Sequence, residues 1–187
     1  MRLHDASTTF LVVIDTQEKL LRSIPDHDDI IARIKRLCRI AARLGIPILA
    51  TEQYPQGLGQ TTSSLLPALS DGGAQWCIKE TFSAWRDQDF ARVLSARAAR
   101  RHIVLCGVEA HVCVLQTAFD LQAAGYAVTV VEGAVGSRRH GDLERALRRL
   151  EAAGTQVATL EMVAFEWLER AGTPAFRDIA PWLRTPV

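Results

Sequence analysis

Residues 103–119 read IVLCGVEAHVCVLQTAF, and the rest of the chain arranges itself around them. Ile103 to Cys106 form a short apolar run ended by Gly107, the pattern of a buried strand. From Val112 onward the apolar residues return at helical spacing through Leu115, Ala118, Phe119 and Leu121, with Gly125 as the stop. A strand therefore turns over Val108 to His111 and feeds directly into a helix. Cys113 falls in the first turn of that helix, where unpaired N–H groups and the positive end of the dipole favour negative charge and lower a thiol pKa. An activated nucleophile suits this place. A small core residue suits it equally, since free cysteine is among the most buried residue types.

Outward from this stretch, strands and helices alternate. Thr9 to Ile14 (TFLVVI) reads as the first buried strand, ended by Asp15, which is either an N-cap or a site residue. Asp26, Asp28 and Asp29 open a helix whose apolar positions from Ile30 to Leu44 keep the 3.6-residue period until Gly45. Ile46 to Ala50 is the second strand, and Trp76 to Lys79 the third. Between them the segment 51–74 is rich in turn residues, and connections that long often belong to a binding site. A helix capped by Asp87 or Asp89 runs to Arg100. Tyr126 to Val131 is the fifth strand, Arg139 to Ala153 an amphipathic helix, and Thr155 to Leu160 the sixth strand. Helices over 161–171 and 176–184 close the chain, with Phe165, Trp167 and Trp182 as packing or subunit-contact residues.

This alternation predicts an α/β fold: a single three-layer α/β/α domain over 1–187 with a six-stranded, mainly parallel sheet in the order 3-2-1-4-5-6. Such sheets bind ligands beyond the carboxyl ends of the strands, where the winding reverses, here between the first and fourth strands. Asp15 ends the first strand, Lys79 ends the third, and Cys113 follows the fourth. Three residues remote in sequence thus meet at one notch. Their chemistry is complementary. Asp15 can take the thiol proton and return it to a leaving group, while Lys79 holds the aspartate ionised and favours the thiolate. A plain Asp15–Lys79 salt bridge at the sheet rim is the structural alternative. His111 offers a Cys–His dyad only if the turn aims its ring at the sulfur.

With these residues placed, the chain resembles the isochorismatase-like hydrolase superfamily, which includes nicotinamidases and other cysteine amidohydrolases. The resemblance rests on LVVIDTQ at 11–17, TEQYPQGLG at 51–59, KETFSAW at 79–85 and LCGVEAHVCVLQTAFDL at 105–121. The TEQYP loop is similar to that of isochorismatase domain-containing proteins of unassigned substrate. The resemblance implies a triad of Asp15, Lys79 and Cys113. It also implies a non-proline cis peptide between Val108 and Glu109, with an oxyanion hole made by the Glu109 and Cys113 N–H groups. Gln17, Tyr54, Phe82 and Trp85 are pocket-lining candidates by their place on the rim loops. Nicotinamidases bind a metal through Asp-x-His before a proline, but this chain has Glu52-Gln53-Tyr54-Pro55 there, so no metal and no other cofactor is expected. Isochorismate hydrolysis proper uses the aspartate to protonate a vinyl ether without a nucleophilic cysteine.

Composition narrows the field. Apolar content of 48%, charged content of 23% and a net charge of +1 are those of a globular protein, with no pull toward nucleic acid or an anionic membrane. The opening MRLHDASTTF has no apolar core of a signal peptide, and Cys38, Cys77, Cys106 and Cys113 form no CxxC pair. A cytoplasmic setting with reduced thiols is expected. The expected activity is metal-independent hydrolysis of a small amide or related C–N bond through a thioester on Cys113, in a homo-oligomer acting on a small molecule. The competing readings are a non-catalytic binding or assembly module on the same fold, and a vinyl-ether hydrolase using Asp15 as acid.

Overall fold

The computed structural model of the protein describes residues 3–184. Six strands form one parallel sheet in the order β3-β2-β1-β4-β5-β6. In chain order, β1 (Thr9–Ile14) leads through α1 (Glu18–Leu21) and the long α2 (His27–Leu44) to β2 (Ile48–Gln53). Two short helices follow, α3 (Pro55–Leu58) and α4 (Leu66–Asp71), and then β3 (Gln75–Lys79). Next come α5 (Gln88–Ser95), β4 (His102–Val108), α6 (Leu115–Ala123), β5 (Ala127–Gly136) and α7 (His140–Ala152). The chain ends with β6 (Gln156–Thr159), α8 (Leu160–Leu168) and α9 (Pro174–Arg184).

Strand periodicity splits the core into two layers. On β1, Leu11 and Val13 face α2, α4, α8 and α9, whereas Phe10, Val12 and Ile14 face α5, α6 and α7. Both faces of β1 and β4 are covered, so every residue of these strands is buried. Trp167 belongs to the first core layer, Trp182 lies under the Arg39 guanidinium at 4.4 Å, and Phe165 stays exposed.

Several strands run further than the hydrophobic pattern indicates. β2 starts at Ile48 and continues to Gln53, and β4 continues to Val108. β5 reaches Gly136 across a register shift opposite Leu105 and Gly107. The helix after β3 is shorter than expected, ending at Ser95, with Asp87 as its cap through bonds from the Asp89 and Phe90 N–H groups. Of the extra strand residues, Thr51 and Gln53 on β2 are polar and buried.

Candidate active site

At the end of β1 the chain turns sharply, with Asp15 at φ 49°, a left-handed conformation that aspartate tolerates better than most residues. Its N–H donates to the Thr51 carbonyl at 3.2 Å, tying the turn to β2. On the other side, β4 approaches so closely that a Cβ on Gly107 would stand 2.1 Å from the Ile14 carbonyl oxygen. Gly107 also has φ 112°, so glycine is required on both counts. The Val108–Glu109 peptide is cis. Residues Ala110–Val114 then form one wide turn of π type, in which the Val114 N–H donates to the Glu109 carbonyl at 3.2 Å, before α6 begins. Cys113 lies in that turn rather than in an α-helical first turn.

Asp15 and Lys79 are wholly buried, and their side chains meet at 2.7 Å between Nζ and Oδ2. The second carboxylate oxygen, Oδ1, accepts from the Thr51 hydroxyl at 2.6 Å. Lys79 also donates to Gln53 Oε1 at 2.6 Å. The Cys113 thiol lies within the electrostatic reach of both Asp15 and Lys79. Burial pushes the thiol up to about 12, the Asp15 carboxylate adds to the rise, and the Lys79 ammonium pulls against it. The lowered pKa expected from a helix N-terminus is therefore overturned. Loss of water around the sulfur outweighs what nearby positive charge offers, and the resting group is a neutral thiol.

The remaining rim residues divide. Gln17 is fully buried, its carboxamide donating to the Gln53 and Gly59 carbonyls at 2.9 and 2.5 Å and accepting from the Gln53 N–H at 2.7 Å. It clamps the 53–59 segment onto the end of β1. Trp85 packs edge-on against Tyr126, ring centroids 5.5 Å apart, which directs it into the α5–α6 layer. Tyr54 and Phe82 are both exposed beside β3. Tyr54 holds φ 38°, and its ring lies where a Cβ on Gly57 would stand, 2.3 Å from Cε1. His111 turns to Ser137, with Nδ1 2.9 Å from the hydroxyl, and Glu109 pairs with Arg138 at 2.9 Å.

The donor set does not fit a metal at the place where nicotinamidases hold one. Glu52 accepts from the Thr61 N–H at 2.7 Å, Gln53 is engaged with Lys79, and Tyr54 offers an exposed phenol. Among the described residues no group of three His, Cys, Asp or Glu side chains is placed to bind an ion. No helix among them is long and apolar enough to cross a membrane. Thr51 and Gln53, which complete the polar cluster, are not among the residues the sequence singles out. The one hint is their alternation with Glu52 beyond an apolar strand, which places both on the face of Lys79.

Residues 9–162 match the model of the isochorismatase domain. The chain belongs to the isochorismatase-like hydrolase family. Isochorismatase domain-containing protein 2 of Macaca fascicularis is 35% identical over 179 residues, covering 96% of this chain and 84% of the relative. Isochorismatase family protein 1A of Dictyostelium discoideum is 30% identical, covering 94% of this chain and 85% of its own. Among solved structures, the MAR1 ribonuclease of Caenorhabditis elegans superposes with a TM-score of 0.92 at 34% identity, over 98% of this chain and 93% of that one. Family membership and sheet order agree with what the motifs of the sequence imply.

Proposed function

We propose that this protein is a metal-independent cysteine hydrolase that cleaves a small amide or related C–N bond through a thioester on Cys113. The observation that carries the reading is the fully buried Asp15–Lys79 pair, whose two charges both bear on the pKa of the Cys113 thiol. An ion pair removed from water beside a thiol is poorly explained as a stabilising bridge, because desolvation offsets most of its attraction.

The chemistry follows from the resting state. Cys113 holds its proton until a carbonyl carbon is in reach, and Asp15 accepts that proton as the sulfur attacks. Charge on the substrate oxygen is met by the Glu109 and Cys113 N–H groups, the oxyanion hole that the family resemblance implies. Asp15 passes the proton to the leaving nitrogen, and an acyl thioester remains on Cys113. Water then attacks the acyl carbon, losing a proton to Asp15, and the acid departs as the thiol is restored. Lys79 stays protonated throughout and keeps Asp15 a carboxylate whenever a proton must be taken. No cofactor enters any step.

Exposed Tyr54, Trp76, Ile78 and Phe82 on and beside the edge strand β3 support the further proposal that the protein works as a homo-oligomer. Sedimentation of the intact chain checks it, since a monomer at working concentration contradicts it. The activity is tested by incubating the protein with a panel of small amides, ureides and carbamates and following acid release, with Cys113→Ala as control. A short RNA belongs in the panel because the C. elegans relative is named a ribonuclease. The reading predicts hydrolysis of at least one small C–N substrate, no RNA cleavage, and loss of turnover in the variant. RNA cleavage, or undiminished turnover in the variant, overturns it.

A further inference from the structure

The Lys79 ammonium has four oxygen acceptors around it, and they are not equivalent. Asp15 Oδ2 and Gln53 Oε1 lie at 2.7 and 2.6 Å, whereas the Thr81 and Phe82 carbonyls lie at 3.3 and 3.4 Å. An ammonium carries three protons. Two are fixed by the short bonds, and the third is left among the weak acceptors, with the Cys113 sulfur near enough for the ammonium to pull its pKa down. The direction of that third proton depends on the acceptor that fixes the second.

Gln53 is held so that only its oxygen can face Lys79. Its Nε2 donates to the Glu80 carbonyl at 2.7 Å, so a flipped amide would set N–H against the ammonium and oxygen against oxygen. Its backbone is gripped on both sides by the Gln17 carboxamide, which accepts from the Gln53 N–H and donates to the Gln53 carbonyl. A buried chain of polar groups therefore runs from the end of β1 through β2 to the ammonium on β3. Charge matters as much as direction. A carboxylate in place of this amide would compete with the thiolate for Lys79 and add a second anion beside the sulfur.

We infer that Gln53 is a positioning residue for the proposed reaction, a neutral acceptor that orients the Lys79 ammonium between Asp15 and Cys113 without drawing off its charge. This rests on the reading of Cys113 as nucleophile. The consequence is specific to charge. A protonated carboxyl at this position imitates the amide, its O–H donating to the Glu80 carbonyl and its C=O accepting from Lys79. The ionised form cannot donate to the Glu80 carbonyl, and it accepts from Lys79 only as an added anion that raises the thiol pKa.

The test measures alkylation of Cys113 by iodoacetamide, read by peptide mass spectrometry across a pH series in the wild type, Gln53→Glu and Gln53→Met. The ratio of the Gln53→Glu rate to the wild-type rate should be near one at the acid end of the series. It should fall to about one-tenth as the new carboxyl ionises, the factor that a shift of about one pKa unit gives. Gln53→Met, which keeps bulk but offers no acceptor, should react several-fold more slowly than wild type by the same factor at every pH. A flat ratio for Gln53→Glu, or a wild-type rate in Gln53→Met, overturns the assignment. If Cys113→Ala keeps wild-type turnover on the amide panel, the nucleophile reading fails and this one with it. If that variant is inactive while the Gln53→Glu ratio is flat, only the role of Gln53 fails.

Discussion

Cys113 keeps its proton because burial and the Asp15 carboxylate both raise its pKa, against the pull of Lys79. Replacing Asp15 by Asn removes one of the raising influences along with the base. The thiol should then titrate lower than in the wild type, seen as thiolate absorbance relative to Cys113→Ala, while turnover falls by roughly 100-fold or more. A variant whose turnover is unchanged contradicts the role given to Asp15. The three residues of the proposed site are legible in the sequence because Asp15 and Lys79 end apolar strands and Cys113 follows the turn after a third, where a charge or a thiol is conspicuous. Thr51 and Gln53 are not, because uncharged polar residues after a strand read as loop. Only the extension of β2 shows that both are buried on the site's own face. Gln17 was legible as a rim residue, but not as a clamp, since its partners are backbone groups of a segment whose path the sequence does not specify.

At the level of elements, the site depends on β1 and β4 touching at their ends. Gly107 permits that contact, and a Cβ there would meet the Ile14 carbonyl at 2.1 Å. Gly107→Ala should cost roughly 3 kcal/mol or more, from the left-handed backbone and the overlap together, read as a lower urea midpoint. A midpoint like that of the wild type would show that the strands separate freely. The Asp87 cap allows a milder comparison. Asp87→Ala leaves the Asp89 and Phe90 N–H groups without their acceptor and should cost about 1 kcal/mol in the same measurement, with turnover preserved. Hydrophobic periodicity located all six strands, reached the carboxyl ends of β1 and β3, ran one residue past that of β6, and stopped short on β2, β4 and β5. On β2 polar Thr51 and Gln53 replace apolar residues, and on β4 and β5 Gly107, Glu132 and Gly133 interrupt the apolar run, so the pattern stops before the hydrogen-bonded ladder does. The wide turn at Ala110–Val114 was equally hidden, because its apolar spacing is close to that of an ordinary helix start.

Across the whole molecule, the chain before β1 is fastened to the far half of the sheet by buried titratable groups. His4 stacks on His102 with centroids 4.4 Å apart, both rings lie within hydrogen-bond distance of Thr129 Oγ1, and His4 meets the Glu166 carboxylate on α8. Burial, with His4 adding to it and Glu166 opposing, lowers His102 to about 4. Burial works to raise Glu166, but bonds from the His4 N–H and ring hold it below the usual carboxylate value. For His102 the unfolded chain binds the proton first, so stability is lost as pH falls from about 6.5 toward 4. For Glu166 the contribution is present above the ordinary carboxylate pKa and is lost as pH falls through its lowered value. The urea midpoint should therefore drop on acidification through this window, and His102→Gln should flatten the upper part of the drop. An unchanged slope in that variant would place the acid sensitivity elsewhere. The central claim concerns the sulfur at the opposite rim, and rapid-quench mass spectrometry during hydrolysis of whichever small C–N substrate is turned over tests it most directly. The account predicts a mass increase equal to the acyl group, confined to the Cys113 peptide and absent in Cys113→Ala. Steady turnover with no adduct on Cys113 at any time, and an equal rate in the variant, would contradict it.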